Sequence, residues 1–292
     1  MKKTVIKNMC RLHIYIGLPL IVLIEAMAFR TLFTISLPII TFLVLFLQNE
    51  WIKITNYKLE HENLPVDYNG FKVLQISDLH NRRFGRNQKK IWKKLEKIEA
   101  DIIVVTGDTL EENYDRWSRI LIEMLVKKAP TYYVTGNHDY DVCHIFYHKF
   151  EKFMIEKGVH ILKNECTGLG CMKIIGIDDH KLEGKELFKE RVDELGKEEG
   201  FKILLSHRPE FAKEYSNAGY DVVFAGHAHG GQVRIPFIGG LGAPGQILPR
   251  YLEGIKTIGD TKMVISRGLG DSLVTQRFFN RPEIVVTELI AK

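Results

Sequence analysis

Five short apolar runs in this chain end alike, each on an acid, an amide or an imidazole. Phe71 to Ser77 leads into Asp78-Leu79-His80, Asp101 to Thr106 into Gly107-Asp108, and Thr131 to Thr135 into Gly136-Asn137-His138-Asp139. Phe201 to Ser206 leads into His207, and Asp221 to Ala225 into Gly226-His227-Ala228-His229. Runs that are apolar at consecutive positions read as strands buried on both faces, the pattern of parallel sheets. In open α/β sheets ligands bind beyond the carboxyl ends of the strands, so these residues are expected to converge on one pocket. A chance origin would scatter polar residues through strands and helices alike. The pair His227 and His229, one residue apart on a backbone loosened by glycines, suits transition-metal ligation, although alone it is a weak signal.

The intervening sequence supplies helices. Ile91, Trp92, Leu95 and Ile98 share one face of residues 87–99, with lysines opposite. Further helices are expected near 116–128, 142–157 and 185–197, and strands near 159–162, 172–177, 263–266 and 284–289. Trp51 to His61 reads as a linker or an edge strand, closing at Pro65 and the turn Asp67-Tyr68-Asn69-Gly70.

From Leu12 to Leu47 the chain is almost continuously apolar, in two halves that meet at Arg30. Each half approaches the roughly 20 residues that a helix needs to cross a bilayer. No Ala-x-Ala site follows the first half, so the segment reads as an anchor rather than a cleaved signal. The reading favoured here is a helical hairpin, which by the positive-inside rule places both ends and the rest of the chain in the cytoplasm; a single crossing places the rest outside. Residues 1–58 hold seven Lys or Arg against two acids, which accounts for the whole net charge of +5. The remainder is neutral, which opposes a broadly basic surface and a stable nucleic-acid partner. Four cysteines without a C-x-x-C pair indicate neither a zinc ribbon nor a disulfide framework. Cys166 and Cys171 flank a turn and either meet across a hairpin or stay free.

Taken in order, Asp78-x-His80, Gly107-Asp108, Gly136-Asn137-His138-Asp139, His207 and Gly226-His227-x-His229 resemble the motif set of the calcineurin-like metallophosphoesterases over roughly residues 70–290. Gly230 to Pro236, together with the apolar N-terminus, is similar to a bacterial membrane-associated subfamily. That subfamily includes cell-wall-associated phosphoesterases and UDP-2,3-diacylglucosamine pyrophosphatases. The resemblance implies an α/β (α+β) fold, a four-layer α/β/β/α sandwich, and a site for two divalent or trivalent transition-metal ions. Asp78, His80 and His229 are then expected to hold the first ion, Asn137, His207 and His227 the second, with Asp108 bridging. Mixed oxygen and imidazole donors suit Mn, Fe or Zn, and a carboxylate has two oxygens with which to bridge. Such a site hydrolyses phosphoesters by attack of a metal-bridged hydroxide, with His138 as general acid.

An acid three positions after the bridging aspartate usually orients that histidine in this family; here it is Glu111, one methylene longer. Asp139 stands where many relatives have Glu, and Glu112 stands where phosphoprotein phosphatases carry Arg, which argues against that branch. Arg234 is the candidate for a substrate phosphate, with pairing to a surface acid as the alternative. The apolar residues from Ile235 to Tyr251 either accept acyl chains or pack on the core.

The chain is therefore expected to divide into a membrane anchor (1–48), a linker (49–69) and a phosphoesterase domain (70–292). Its expected partners are the bilayer and a phosphodiester or pyrophosphate, of a lipid or envelope precursor by preference. A nuclease or nucleotide phosphodiesterase of the same fold and a non-catalytic membrane scaffold are the alternatives.

Overall fold

The computed structural model describes residues 18–292 except 182, 236, 248 and 272–275. The chain divides into two compact units, Met1–Leu47 and Gln48–Lys292. The apolar segment is one helix, α1 (Leu18–Glu50), so the expected hairpin does not form. No glycine stands near Arg30 to turn the chain. The hydroxyls of Thr31 and Thr34 donate to the carbonyls of Met27 and Arg30, at 2.9 and 2.7 Å, so polar side chains around the expected turn are satisfied within the helix. At 1.5 Å per residue α1 is about 50 Å long, more than the bilayer's hydrocarbon core of about 30 Å requires. Residues 12–17 of the apolar run lie outside the described residues.

The second unit contains β1 (Lys53–His61), β2 (Lys72–Ile76), α2 (Lys89–Leu95), β3 (Ile102–Thr106), α3 (Arg116–Val126), β4 (Thr131–Val134), α4 (His144–Glu156) and β5 (His160–Ile161). It continues with β6 (Glu165–Leu169), β7 (Met172–Gly176), α5 (Lys185–Leu195), β8 (Phe201–Leu205), α6 (Ala212–Asn217) and β9 (Val222–Ala225). Two short ribbons follow, β10 (Arg234–Ile235) with β11 (Gly239–Gly240) and β12 (Gly242–Ala243) with β13 (Gln246–Ile247), before β14 (Gly254–Ile258), β15 (Thr261–Ile265) and β16 (Glu283–Ala291).

Two six-stranded sheets result, ordered β1-β16-β2-β3-β4-β5 and β14-β15-β9-β8-β7-β6. Alternate residues of each strand point to opposite faces and fill different cores. Val73, Val104 and Val285 from the first sheet meet Ile174, Ile203 and Phe224 from the second in the middle layer. Leu74, Ile103 and Tyr133 instead pack on α2, α3 and α4 through Ile91, Leu121 and Phe150. On the far side Leu204 and Val223 pack on α5 and α6 through Phe188 and Tyr215. The architecture is the four-layer α/β/β/α sandwich. Because the central strands are covered on both faces, their apolar runs are continuous.

Residues 49–69 do not form a linker throughout. Lys53–His61 pairs in parallel with Glu283–Ala291 along its full length, so the first sheet starts at 53. Cys166 and Cys171 are free: in the β6-β7 hairpin Cys166 stands opposite Ile175, not Cys171.

Candidate metal centre

Beyond the carboxyl ends of β2, β3, β4, β8 and β9, the loops turn sharply. Asp78, His80, Asp108, His227 and His229 all take left-handed backbone conformations, with φ between 46° and 63°. That region is sparsely populated by non-glycine residues, and such strain persists only where the surroundings over-determine it. Two glycines make the approach possible. A Cβ on Gly136 would stand 2.2 Å from Asp108 Oδ1, and one on Gly226 would stand 2.0 Å from Ser77 Oγ and 2.5 Å from Asp78 Oδ2.

The side chains converge in two overlapping groups, Asp78, His80, Asp108 and His229 in one and Asp108, His207 and His227 in the other, all buried. His80 Nε2 lies 3.2 Å from His229 Nε2 and 3.7 Å from Asp108 Oδ2, and His229 Nε2 lies 3.4 Å from Asp78 Oδ1. On the other side His207 Nε2 lies 3.1 Å from both Asp108 Oδ2 and His227 Nδ1. Asp108 thus belongs to both groups. Asn137 Oδ1 is buried without a hydrogen-bond partner, an arrangement that proteins avoid unless a ligand completes it. The donor set and this orphaned oxygen fit a pair of transition-metal ions.

Electrostatics agree with that fit. Burial and neighbouring cations hold the His227 and His229 imidazoles well below their ordinary pKa, so both keep the neutral form that a metal requires. Burial opposes ionisation of Asp108, but His207 outweighs it and holds the carboxyl well below the usual range. Burial works against the charge of His207 too, and Asp108 overcomes it, raising the imidazole to about 10.

Around the ligands stands a supporting layer. Glu111 Oε2 lies 2.6 Å from His80 Nδ1 and 3.3 Å from His138 Nδ1. A proton on His80 Nδ1 leaves Nε2 unprotonated toward the cluster. Burial opposes the charge on Glu111, yet hydrogen bonds from the two histidines outweigh it and bring its pKa down to about 2. The bond to Glu111 raises the pKa of His138 above 6.5.

Asp139 is fully buried and accepts hydrogen bonds from the backbone N–H groups of Asp108, Thr109, Leu110 and Gly136 and from the Tyr133 hydroxyl, at 2.7 to 3.0 Å. It clamps the loop after β3 to the loop after β4. His207 Nδ1 donates to Thr106 O at 2.8 Å, which fixes its ring.

Arg234 stands apart from the ligands: its guanidinium contacts Glu253 at 2.5 Å and donates to the Gly230 carbonyl at 3.0 Å. Two other arginines reach the centre and escaped the sequence reading. Arg208 is gripped by both oxygens of Asp179, at 2.6 and 3.1 Å, and sets Nη1 2.8 Å from His227 Nε2. Arg277 is fully buried, donates to the Gly270 carbonyl and has Nη2 3.4 Å from His229 Nδ1. Adjacency to His207 was a usable signal for Arg208. Arg277 offered none, because its partner is 48 residues away.

The calcineurin-like phosphoesterase family model matches residues 71–231, and the chain belongs to that family. It is 27% identical to an uncharacterized metallophosphoesterase, YkuE, of Bacillus subtilis, over 84% of this chain and 87% of that one. Identity to the phosphodiesterase YaeI of Escherichia coli is 28%, over 75% and 82%. A transmembrane protein with a metallophosphoesterase domain from Danio rerio is 25% identical, over 82% and 57%. The chain is a metal-dependent phosphoesterase.

Proposed function

We propose that the chain is a membrane-anchored hydrolase of phosphodiester or pyrophosphate bonds in a lipid or envelope precursor, working with two Mn, Fe or Zn ions. The reading rests on one observation above all: two buried groups of ligand atoms share the carboxylate of Asp108. Asp78, His80 and His229 would hold the first ion and Asn137, His207 and His227 the second, with Asp108 available to both. Such a pair, when bound, supplies an activated water and charge neutralisation for the phosphoryl oxygens. His138, at the half-exposed edge of the cluster, holds a proton on Nε2 for the leaving oxygen. Glu111, 3.3 Å from His138 Nδ1, favours the protonated form of that ring and aims it. Arg234 meets a substrate phosphate at the rim, where the anion replaces Glu253 on its guanidinium fork.

The single helix changes the expected sidedness. Lys2, Lys3, Lys7 and Arg11 precede one crossing, so the positive-inside rule puts the domain outside the cytoplasm. A reporter active only outside the cytoplasm, fused to the C-terminus, reads this directly: an inactive but expressed fusion overturns it. For catalysis, the full chain in detergent with manganese is expected to release nitrophenol from bis-p-nitrophenyl phosphate. Absence of turnover with Mn, Zn, Fe and Co, despite bound metal, overturns the enzyme reading. A panel of nucleotide-sugar lipids, phospholipids and cyclic nucleotides then identifies the substrate.

A further inference from the structure

The segment after the last histidine ligand behaves differently at its base and at its tip. At the base, Ala243, Tyr251 and Leu252 pack against the core beneath α5 and α6. At the tip the apolar residues are exposed among the described residues. Ile235 pairs with Gly239 across the β10-β11 ribbon, and the turn between them carries Phe237 and Ile238, both exposed. Leu241 follows on the same ribbon, exposed as well. A bridge from Val233 to Phe278, with the Arg234 N–H donating to the Phe278 carbonyl at 3.0 Å, brings the exposed Phe279 beside them. Phe237 has a φ of 70°, a conformation that bulky side chains seldom adopt, and it places the ring in solvent rather than against the ribbon.

Five large apolar side chains exposed on this ribbon and on the segment bridged to it are what soluble surfaces avoid unless a partner covers them. The surroundings identify the partner. Next to the ribbon lies a cleft of about 270 Å³ whose lining includes Arg234, Arg250 and Lys256 against a single acid, Glu253. Glu253 is engaged by Arg234 and also by Arg267 at 3.4 Å. No ion pair to Arg250 or Lys256 is found among the described residues. Aromatic and aliphatic tips flanked by unneutralised cations match a bilayer interface, with rings at headgroup depth and positive charge on anionic lipid phosphates. The same chain carries an apolar helix long enough to cross that bilayer.

We propose that Ile235, Phe237, Ile238, Leu241 and Phe279 dock on the surface of an anionic bilayer, with Arg250 and Lys256 on lipid phosphates. The ribbon is tied to the metal centre, since Arg234 donates to the carbonyl of Gly230, beside the ligand His229. Docking therefore sets the rim of the centre in the headgroup layer.

The inference rests on the membrane anchoring proposed above, and one experiment separates the two. The full chain, its Phe237→Trp variant and an Ile145→Trp control on α4 are reconstituted into vesicles containing brominated phosphatidylglycerol. Co-flotation of protein with vesicles reads the anchor; loss of tryptophan emission, relative to the unsubstituted chain, reads the ribbon. Excess quenching in F237W and none in I145W is the expected result, and Arg250→Glu with Lys256→Glu is expected to reduce it. Co-flotation without excess quenching of F237W overturns docking while leaving the anchor intact. Equal quenching of I145W, or a blue shift of F237W in lipid-free detergent that grows with protein concentration, overturns it too, the latter in favour of a second copy of the chain. Quenching unchanged by the double charge reversal overturns the assignment of Arg250 and Lys256.

Discussion

The two sheets contribute unequal halves to the metal centre. From the first come Asp78, His80, Asp108 and Asn137, and that half is held by acids: Asp139 gathers four backbone N–H groups, and Glu111 holds His80 and faces His138. From the second come His207, His227 and His229, and behind two of them stand cations, Arg208 beside His227 and Arg277 beside His229. An acid behind an imidazole draws the proton to its far nitrogen and raises its basicity, whereas a cation depresses ring protonation. His138, the general acid proposed above, belongs to the acid-backed half. In the second half the His227 and His229 imidazoles are held neutral, whereas His207 is governed by Asp108.

Asp108→Ala removes the one residue common to both buried groups of ligand atoms. It is expected to cut turnover of bis-p-nitrophenyl phosphate to background and to lower bound metal per chain, measured by elemental analysis. Retention of both would break the shared-ligand reading. Asp139→Ala leaves four buried N–H groups and a tyrosine hydroxyl unsatisfied, an expected loss of about 3 to 5 kcal/mol in the unfolding free energy from urea titration. The isosteric Asp139→Asn keeps part of these bonds and should fall between the two. A smaller effect is expected for His138→Ala, about 10²- to 10³-fold in kcat with metal content unchanged, since it removes an acid and no ligand.

Smallest is Glu111→Gln. The carboxylate raises the His138 pKa, so the protonated form persists above pH 6.5; without it the alkaline limb of kcat/KM should move to lower pH. Stability should respond at the other end of the scale. With its folded pKa near 2, against 4.5 ordinarily, Glu111 contributes stability that is present above pH 4.5 and lost as pH falls toward 2. Acid titration of E111Q should lack that segment, and an unchanged profile in both assays would show that the acid-backed half owes nothing to Glu111.

The legible parts of this protein share a physical cause. Strands β2, β3, β4, β8 and β9 are sandwiched on both faces, so each is a continuous apolar run whose end is marked by the first polar residue, and those end residues are the ones that converge. Edge strand β1 was ambiguous because one face meets solvent and its alternation is loose. Strand β6 gave no run at all, since it carries Glu165, Thr167 and Gly168 on an exposed sheet edge. The N-terminal segment was legible as apolar and long but not as one helix: a lone Arg30 interrupts composition without interrupting backbone hydrogen bonding.

By itself the sequence determined which residues can hold metal, which strands are buried, and that an apolar segment precedes the domain, because these depend on residue type and local period. Only the tertiary structure decided what stands behind each ligand. The contacts of Glu111 with His80, Asp139 with the Asp108 loop, Arg208 with Asp179 and Arg277 with His229 join residues 29 to 48 positions apart, on separate loops. The same holds for the ribbon tip, where the amino acids are as apolar as those of the core and only the course of the chain leaves them facing outward.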